Sequence, residues 1–208
     1  MNRRDLKSDQ TRQEILNAAI ALFAKNGFHS TTINQIVEVA HLTKGAFYGH
    51  FKNKEAIFRA VVEEVKNEWN RMITREIREE GNALKKLNKM LDVFVRLTLQ
   101  KKEKYVIFIV LIAEFTEMED RFESVLKEAF DEIYDHVAGV IEEGKRAQQI
   151  RTEIDSRLLA ITLVGTWQGI LLQWLLNRER VRLEDLVNAL RCFLFGRVSA
   201  GTAGNGSS

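Results

Sequence analysis

Not one proline occurs in the 208 residues of this chain. Inside a helix, proline deletes a backbone hydrogen bond and clashes with the preceding turn, so a chain without it can run helix after helix unbroken. Glycine is sparse until the C-terminal tail. Apolar residues make up 45% of the chain, which is enough for one or two domains with a real core. These facts together predict an all-α protein.

The apolar spacing divides the chain into about nine helices. The first is expected from about Ser8 or Asp9 to Asn26, with Ile15, Ala19, Leu22 and Phe23 on one face and Gly27 free to take positive φ after it. A short second helix spans about Ile33 to Ala40. Thr32 and Gln35 stand at capping-box spacing, where each can satisfy a free backbone N–H of the other's turn. A short third helix follows Thr43, a good N-cap, and reaches about His50. Leu42, Ala46, Phe47 and Phe51 are its inward candidates. Asn53 then caps a long fourth helix to about Arg78.

Further helical patterns cover Leu84 to Leu99, Tyr105 to Phe115, the stripe from Phe122 to Ile141, Leu158 to Leu176 behind the cap Asp155, and Leu183 to Gly196. The last eight residues, GTAGNGSS, can bury nothing and are expected to be disordered. The domain boundary is expected within or just after the fourth helix. That makes residues 1–54 one domain, residues 55–200 a second, and residues 201–208 a tail.

The net charge is only +2, but it is uneven. Up to Lys54 the cations are Arg3, Arg4, Lys7, Arg12, Lys25, Lys44, Lys52 and Lys54, against Asp5, Asp9, Glu14 and Glu38. The first domain therefore carries +4 and the remainder −2. A basic end on a near-neutral chain fits a polyanion partner for that end alone.

Residues 32–54 read as two short helices around a tight break, the pattern of a helix-turn-helix. A recognition helix needs an apolar inner face to fix its angle and a small or polar outer face to approach base edges. Thr43, Lys44, Gly45 and Ala46 open the third helix in this way. Gly45 permits close backbone approach, and Lys44 can reach a guanine edge or a phosphate. Tyr48 can bond a phosphate or stack on a sugar. His50 and Lys54 stand where the chain leaves the groove and suit phosphate. Thr32 and Asn34, early in the second helix, are placed for the opposite backbone or a base edge.

The stretch from Ser8 to Phe58 resembles the tetracycline-repressor (TetR) family of bacterial transcriptional regulators. The resemblance rests on Ile15-Leu16-Asn17-Ala18-Ala19, Phe23, Asn26-Gly27-Phe28, Thr31-Thr32-Ile33, Ile36, Ala40, the run Lys44-Gly45-Ala46-Phe47-Tyr48-Gly49-His50-Phe51, and Lys54-Glu55. It implies a nine-helix chain: three helices for DNA, a connecting fourth, and a remainder that binds an effector and dimerises. It also implies that Thr32, Asn34, Thr43, Lys44, Gly45, Tyr48, His50 and Lys54 contact DNA. One departure stands out. The family usually has glycine in the turn, where this chain has His41. Histidine tolerates positive φ better than most residues, so the turn is expected to survive with slight strain.

A single short helix reads few bases, so a homodimer on a palindromic operator is expected. Gly165, Gly169, Leu172, Leu186, Leu190, Phe193 and Leu194 supply small or apolar surface for a four-helix interface. The resemblance further implies a small-molecule effector behind helix 4. Candidates to line its pocket are Phe94, Phe108, Leu111, Glu114, Phe115, Phe130, Tyr134, Trp167 and Gln168. Their composition favours an apolar or aromatic compound that shifts the chain to a conformer unable to grip DNA.

Leu158 to Leu176 carries no charge over 19 residues and is long enough to span a bilayer. Thr162, Thr166, Gln168 and Gln173 interrupt it, and arginines flank both ends, so it reads as a buried helix of a soluble protein. The sole cysteine, Cys192, excludes an internal disulfide and fits a cytoplasmic location. The N-terminus lacks the apolar run of a signal peptide. The chain shows no catalytic spacing, metal-ligand cluster or phosphate loop, so neither an enzyme nor a cofactor is expected. The competing reading is a DNA-binding regulator or architectural factor without an effector.

Overall fold

A computed structural model describes residues 3–114, 120–151 and 153–195. These form nine α-helices: α1 (Arg3–Asn26), α2 (Ile33–Val39), α3 (Lys44–His50), α4 (Lys54–Ile77), α5 (Ala83–Gln100), α6 (Lys102–Ala113), α7 (Asp120–Arg146), α8 (Ser156–Asn177) and α9 (Leu183–Phe195). No strand occurs among the described residues. The all-α expectation and the helix order hold.

The predicted caps form. Thr32 accepts from Gln35 N while Gln35 Oε1 accepts from Thr32 N at 2.7 Å, closing the capping box. Thr43 accepts from Ala46 N at 3.2 Å, Asn53 from Ala56 N at 2.8 Å, and Asp155 from Leu158 N at 2.8 Å. Each satisfies a backbone donor that the helix itself leaves free. The first helix departs from expectation. It begins at Arg3, not at Ser8 or Asp9. Residues 5–10 are exposed, so this extra length rests on local bonding such as Thr11 Oγ1 to Lys7 O at 3.0 Å, which apolar spacing cannot reveal.

The compact division of the chain also differs from a boundary after residue 54. One unit comprises Met1–Arg75 with Leu97–His136, and the other Glu76–Arg96 with Val137–Ser208. Helices α5 and α7 each contribute to both units, so no single cut in the sequence separates them. The 201–208 tail lies outside the described residues.

In the first unit α1, α2 and α3 pack on one another, and α1 also packs on α6. Phe23, Phe47, Phe58, Ile15, Leu16 and Ile36 are fully buried there. Ion pairs tie α4 to its neighbours. Lys66 Nζ bonds Glu63 and Glu132 at 2.8 Å each, and Lys104 Nζ reaches Glu64 and Glu68 at 3.1 Å each. Lys101 also donates to Glu68. Burial alone would lower the Lys66 pKa, but its bonds to Glu132 and Glu63 outweigh burial and hold it above the ordinary lysine value. Burial pushes Glu68 up, yet its bonds from Lys101 and Lys104 win and hold its carboxyl below the ordinary value.

A depressed carboxylate contributes stability above its unfolded pKa, about 4.3, and loses it as pH falls through the folded value. Glu68→Gln should therefore cost about 1 kcal/mol near neutral pH. That difference from wild type should shrink on acidification and vanish once the wild-type carboxyl is protonated. Urea melts across this range would show it; a gap independent of pH would contradict the assignment.

In the second unit the buried side chains include Leu87, Met90, Leu91 and Phe94 of α5, Val140 and Ile141 of α7, and Leu163, Val164, Trp167 and Leu171 of α8. Gln149 Oε1 accepts from Ala83 N at 2.7 Å and anchors the start of α5. The expected buried helix α8 is buried on one side only. Leu158, Ile161, Leu172 and Leu176 are 64%, 40%, 42% and 71% exposed. Helical periodicity identifies an apolar face but not what covers it, and one chain alone does not cover this one.

Candidate nucleic-acid interface

The turn between α2 and α3 follows from its hydrogen bonds. His41 N–H bonds Glu38 O at 3.1 Å and Leu42 N–H bonds Val37 O at 2.9 Å. This paired closure of a helix end needs one residue in the left-handed region, and His41 takes it with φ 55°. The expected turn thus survives the missing glycine. A non-glycine residue in that region costs roughly 1 kcal/mol. His41→Gly should recover up to about that much, read as a higher midpoint in thermal or urea unfolding. A lower midpoint would show that the imidazole makes a contact outweighing the strain.

Helix α3 hangs on Phe47, which is 0% exposed. The Tyr48 ring stands edge-on to Phe47 at 5.4 Å, and the Phe51 ring lies 5.7 Å from it. Arg12 of α1 places its guanidinium 5.3 Å from the Phe51 ring, a contact the sequence reading missed. With Phe47 and Phe51 turned inward, the rest of the helix surface is presented outward. Thr32, Asn34, Thr43, Lys44, Gly45 and Tyr48 are all exposed, and His50 is half-buried. Tyr48 is 55% exposed, unusual for so large a ring. The Lys44 side chain has no hydrogen bond or ion pair among the described residues. A Cβ on Gly45 would meet only Thr43 Oγ1, at 3.7 Å, so the protein's own packing does not demand glycine there.

Lys54 is placed differently from the rest. Its Nζ donates to His29 O at 3.1 Å and lies 4.2 Å from the centre of the Phe28 ring. Burial lowers its pKa below the ordinary lysine value, opposed by the Glu114 charge. Glu114, a candidate effector contact in the sequence, accepts from Phe28 N at 2.7 Å and from His29 N at 3.4 Å. The structure therefore brings Lys54 and Glu114 to one backbone turn.

The other effector candidates fall into two groups. In the first unit Phe108 and Phe130 stand 5.4 Å apart and Phe130 and Tyr134 5.9 Å apart, with Leu111 fully buried. In the second unit Phe94 stacks on Trp167 at 6.5 Å, and Gln168 is half-buried. Phe115 lies outside the described residues. Of the interface candidates, Gly165, Gly169, Leu172 and Phe193 are exposed, and Leu186 and Leu190 are half-buried. Leu194 lies in α9, but its side chain is outside the described set. A Cβ on Gly165 or Gly169 would meet nothing within 4 Å. No His, Cys, Asp and Glu grouping able to hold a metal occurs among the described residues.

Comparison with known proteins agrees with this geometry. Residues 15–61 match the family model described as bacterial regulatory proteins, tetR family. Residues 83–190, more than half the chain, match the tetracyclin repressor-like C-terminal domain. The chain is 26% identical over 178 residues to the fatty acid metabolism regulator protein of Bacillus subtilis (strain 168), covering 85% of this chain and 90% of that one. It is 23% identical over 179 residues to the HTH-type transcriptional repressor DhaR of Mycobacterium sp. (strain GP1), covering 86% and 89%. The crystal structure of the transcriptional regulator FadR from Bacillus subtilis in complex with stearoyl-CoA superposes with a TM-score of 0.76 at 24% identity, covering 88% of this chain and 98% of that one. Two family models that together take in the DNA-reading helices and most of the chain behind them place it among DNA-binding transcriptional regulators; the chain belongs to the TetR family.

Proposed function

We propose that this chain is a cytoplasmic homodimeric repressor that leaves a palindromic operator when a small apolar effector binds. The observation that carries the reading is the outer face of α3. Lys44 and Tyr48 stand free and exposed beside Gly45, while Phe47 behind them is fully buried. Lys44 takes the base-edge role, Tyr48 and His50 take phosphates, and Thr32, Asn34 and Thr43 take the flanking backbone.

The dimer is assigned to α8 and α9, which leave Leu158, Leu172, Leu176 and Phe193 exposed; large exposed apolar side chains grouped on two neighbouring helices suit a protein–protein contact. Helix α8 is the one helix among the described residues long and apolar enough to cross a membrane. A second copy covering the open face accounts for that composition without a bilayer.

The effector reading draws on α6. Its sequence KEKYVIFIVLIA is apolar on every side after the first turn, yet Val106, Phe108, Ile109 and Val110 are only half-buried. The ladder of Phe108, Phe130 and Tyr134 rings offers a wall for a long hydrocarbon. A fatty acyl chain is the class we favour, in keeping with the fatty acid regulators among the relatives.

The test is selection of duplexes from a random pool by the full-length chain, followed by titration with stearoyl-CoA. The expected outcome is an inverted-repeat sequence, released by stearoyl-CoA at micromolar concentration. An operator indifferent to acyl-CoA esters of any length would remove the acyl reading, and one indifferent to a broad panel of small molecules would favour the effector-free regulator.

A further inference from the structure

Three observations meet at the turn between α1 and α2. First, Glu114, at the end of α6, lies 86 positions from Phe28, yet one carboxylate oxygen accepts from Phe28 N–H at 2.7 Å and the other from His29 N–H at 3.4 Å. Second, Lys54, the first residue of α4, donates to the carbonyl of His29 at 3.1 Å and sits over the Phe28 ring. Third, the Phe28 ring is buried among Phe23 of α1, Phe58 of α4 and Phe122 of α7, at 5.4, 4.8 and 4.7 Å. Gly27 makes this possible twice over. Its φ of +81° is one that other residues resist, and a Cβ there would overlap Glu114 Oε1 and lie 2.9 Å from Glu114 Cδ.

The polar contacts are not needed to hold Phe28, which its three aromatic neighbours already enclose. What they add is direction. The turn leads into the α2 N-cap at Thr32, and α4 follows directly on α3. A carboxylate at the C-cap of α6 and an ammonium on α4 therefore hold consecutive peptide groups of this one turn, the carboxylate by two N–H groups and the ammonium by the carbonyl that follows.

We propose that Glu114, with Lys54, is a latch that positions the α1–α2 turn for DNA binding, and that Glu114 is a positioning residue and not an effector contact. This rests on the DNA-binding reading above and assigns the link between α6 and the reading head. In the same assignment Lys54 serves the latch and not a phosphate.

The test compares the full-length wild-type chain with Glu114→Ala, Glu114→Gln and Lys54→Ala. Two readouts are needed: amide hydrogen exchange, and affinity for the duplex that the wild-type chain selects from a random pool. A charge-assisted hydrogen bond is lost in the alanine variant, so protection of the Phe28 amide should fall on the order of ten- to hundredfold. Amides of α8 such as those of Leu163 and Val164 should keep theirs. Operator affinity should fall at least about fivefold with an unchanged salt slope, because no phosphate contact is removed. Glu114→Gln should fall between, since its carbonyl still accepts a hydrogen bond but offers Lys54 no charge.

Unchanged Phe28 protection in Glu114→Ala overturns the latch, as does operator affinity within twofold of wild type despite lost protection. If the alanine variant does not fold, the glutamine variant decides by the same readings. For Lys54→Ala, a salt slope equal to wild type supports the latch. A slope smaller by about 0.9 puts its ammonium on a phosphate and overturns that part. Should the wild-type chain select no duplex, the DNA-binding reading fails, while hydrogen exchange still decides whether Glu114 holds the turn.

Discussion

Lys44→Ala should abolish most sequence-specific DNA binding while leaving the fold untouched. Lys44 is exposed, opens a seven-residue helix and makes no side-chain hydrogen bond or ion pair among the described residues, so truncating it takes little from the folded chain. At a base edge, a well-placed contact discriminates by roughly 1–3 kcal/mol. A dimer loses it in both half-sites, so operator affinity should drop on the order of a hundredfold or more. Non-specific affinity should change far less.

Tyr48 allows a finer division, because its ring and its hydroxyl have different tasks. Tyr48→Phe keeps the ring edge-on to Phe47 and removes only the phosphate bond, whereas Tyr48→Ala removes both. The phenylalanine variant should lose a few-fold in affinity and the alanine variant an order of magnitude more. Thermal unfolding should be alike for all three variants. Electrophoretic or fluorescence titration against the selected duplex decides the matter. Wild-type affinity and specificity in Lys44→Ala and Tyr48→Ala would remove α3 as the reading helix.

The second large effect concerns assembly. Leu172→Glu combined with Phe193→Glu should convert the chain to a monomer at micromolar concentration. In a single chain these side chains are 42% and 68% exposed, so charging them costs little in folding. In a symmetric interface each change occurs twice, and unpaired carboxylates would be driven into an apolar contact. Sedimentation would report the monomer. Operator affinity should fall by several orders of magnitude, since each recognition helix would bind its half-site alone. If the doubly substituted chain sediments as a dimer, the assembly uses another surface.

The parts of this structure visible in the sequence share one property: cause and effect lie within four residues. The capping box of Thr32 and Gln35 and the caps at Thr43, Asn53 and Asp155 are all set by side chains beside the backbone they satisfy. The outward side chains of α3 were legible for the same reason. Burying Phe47 and Phe51 fixes which way Lys44 and Tyr48 point, because helical geometry ties neighbours together.

What stayed hidden depends on distant segments. Nothing near Glu114 in the chain announces that its carboxylate holds the amides of Phe28 and His29, and composition alone made it a plausible ligand contact. Phe94 and Trp167 could not be told from Phe108 and Phe130 as pocket candidates, although they belong to different compact units. The apolar run of α8 announced burial, but not that Leu158, Ile161, Leu172 and Leu176 would stay exposed in the single chain.

By itself, then, the sequence determined the helices, their ends and the outward chemistry of α3, because backbone hydrogen bonding and helical periodicity are local. Only the tertiary structure decided that Lys54 and Glu114 close on one turn, that Gly27 is needed for the approach of a carboxylate as well as for its own φ, and that α8 is half open. Each of these is a matter of which surfaces meet, and packing settles that between residues the chain keeps far apart.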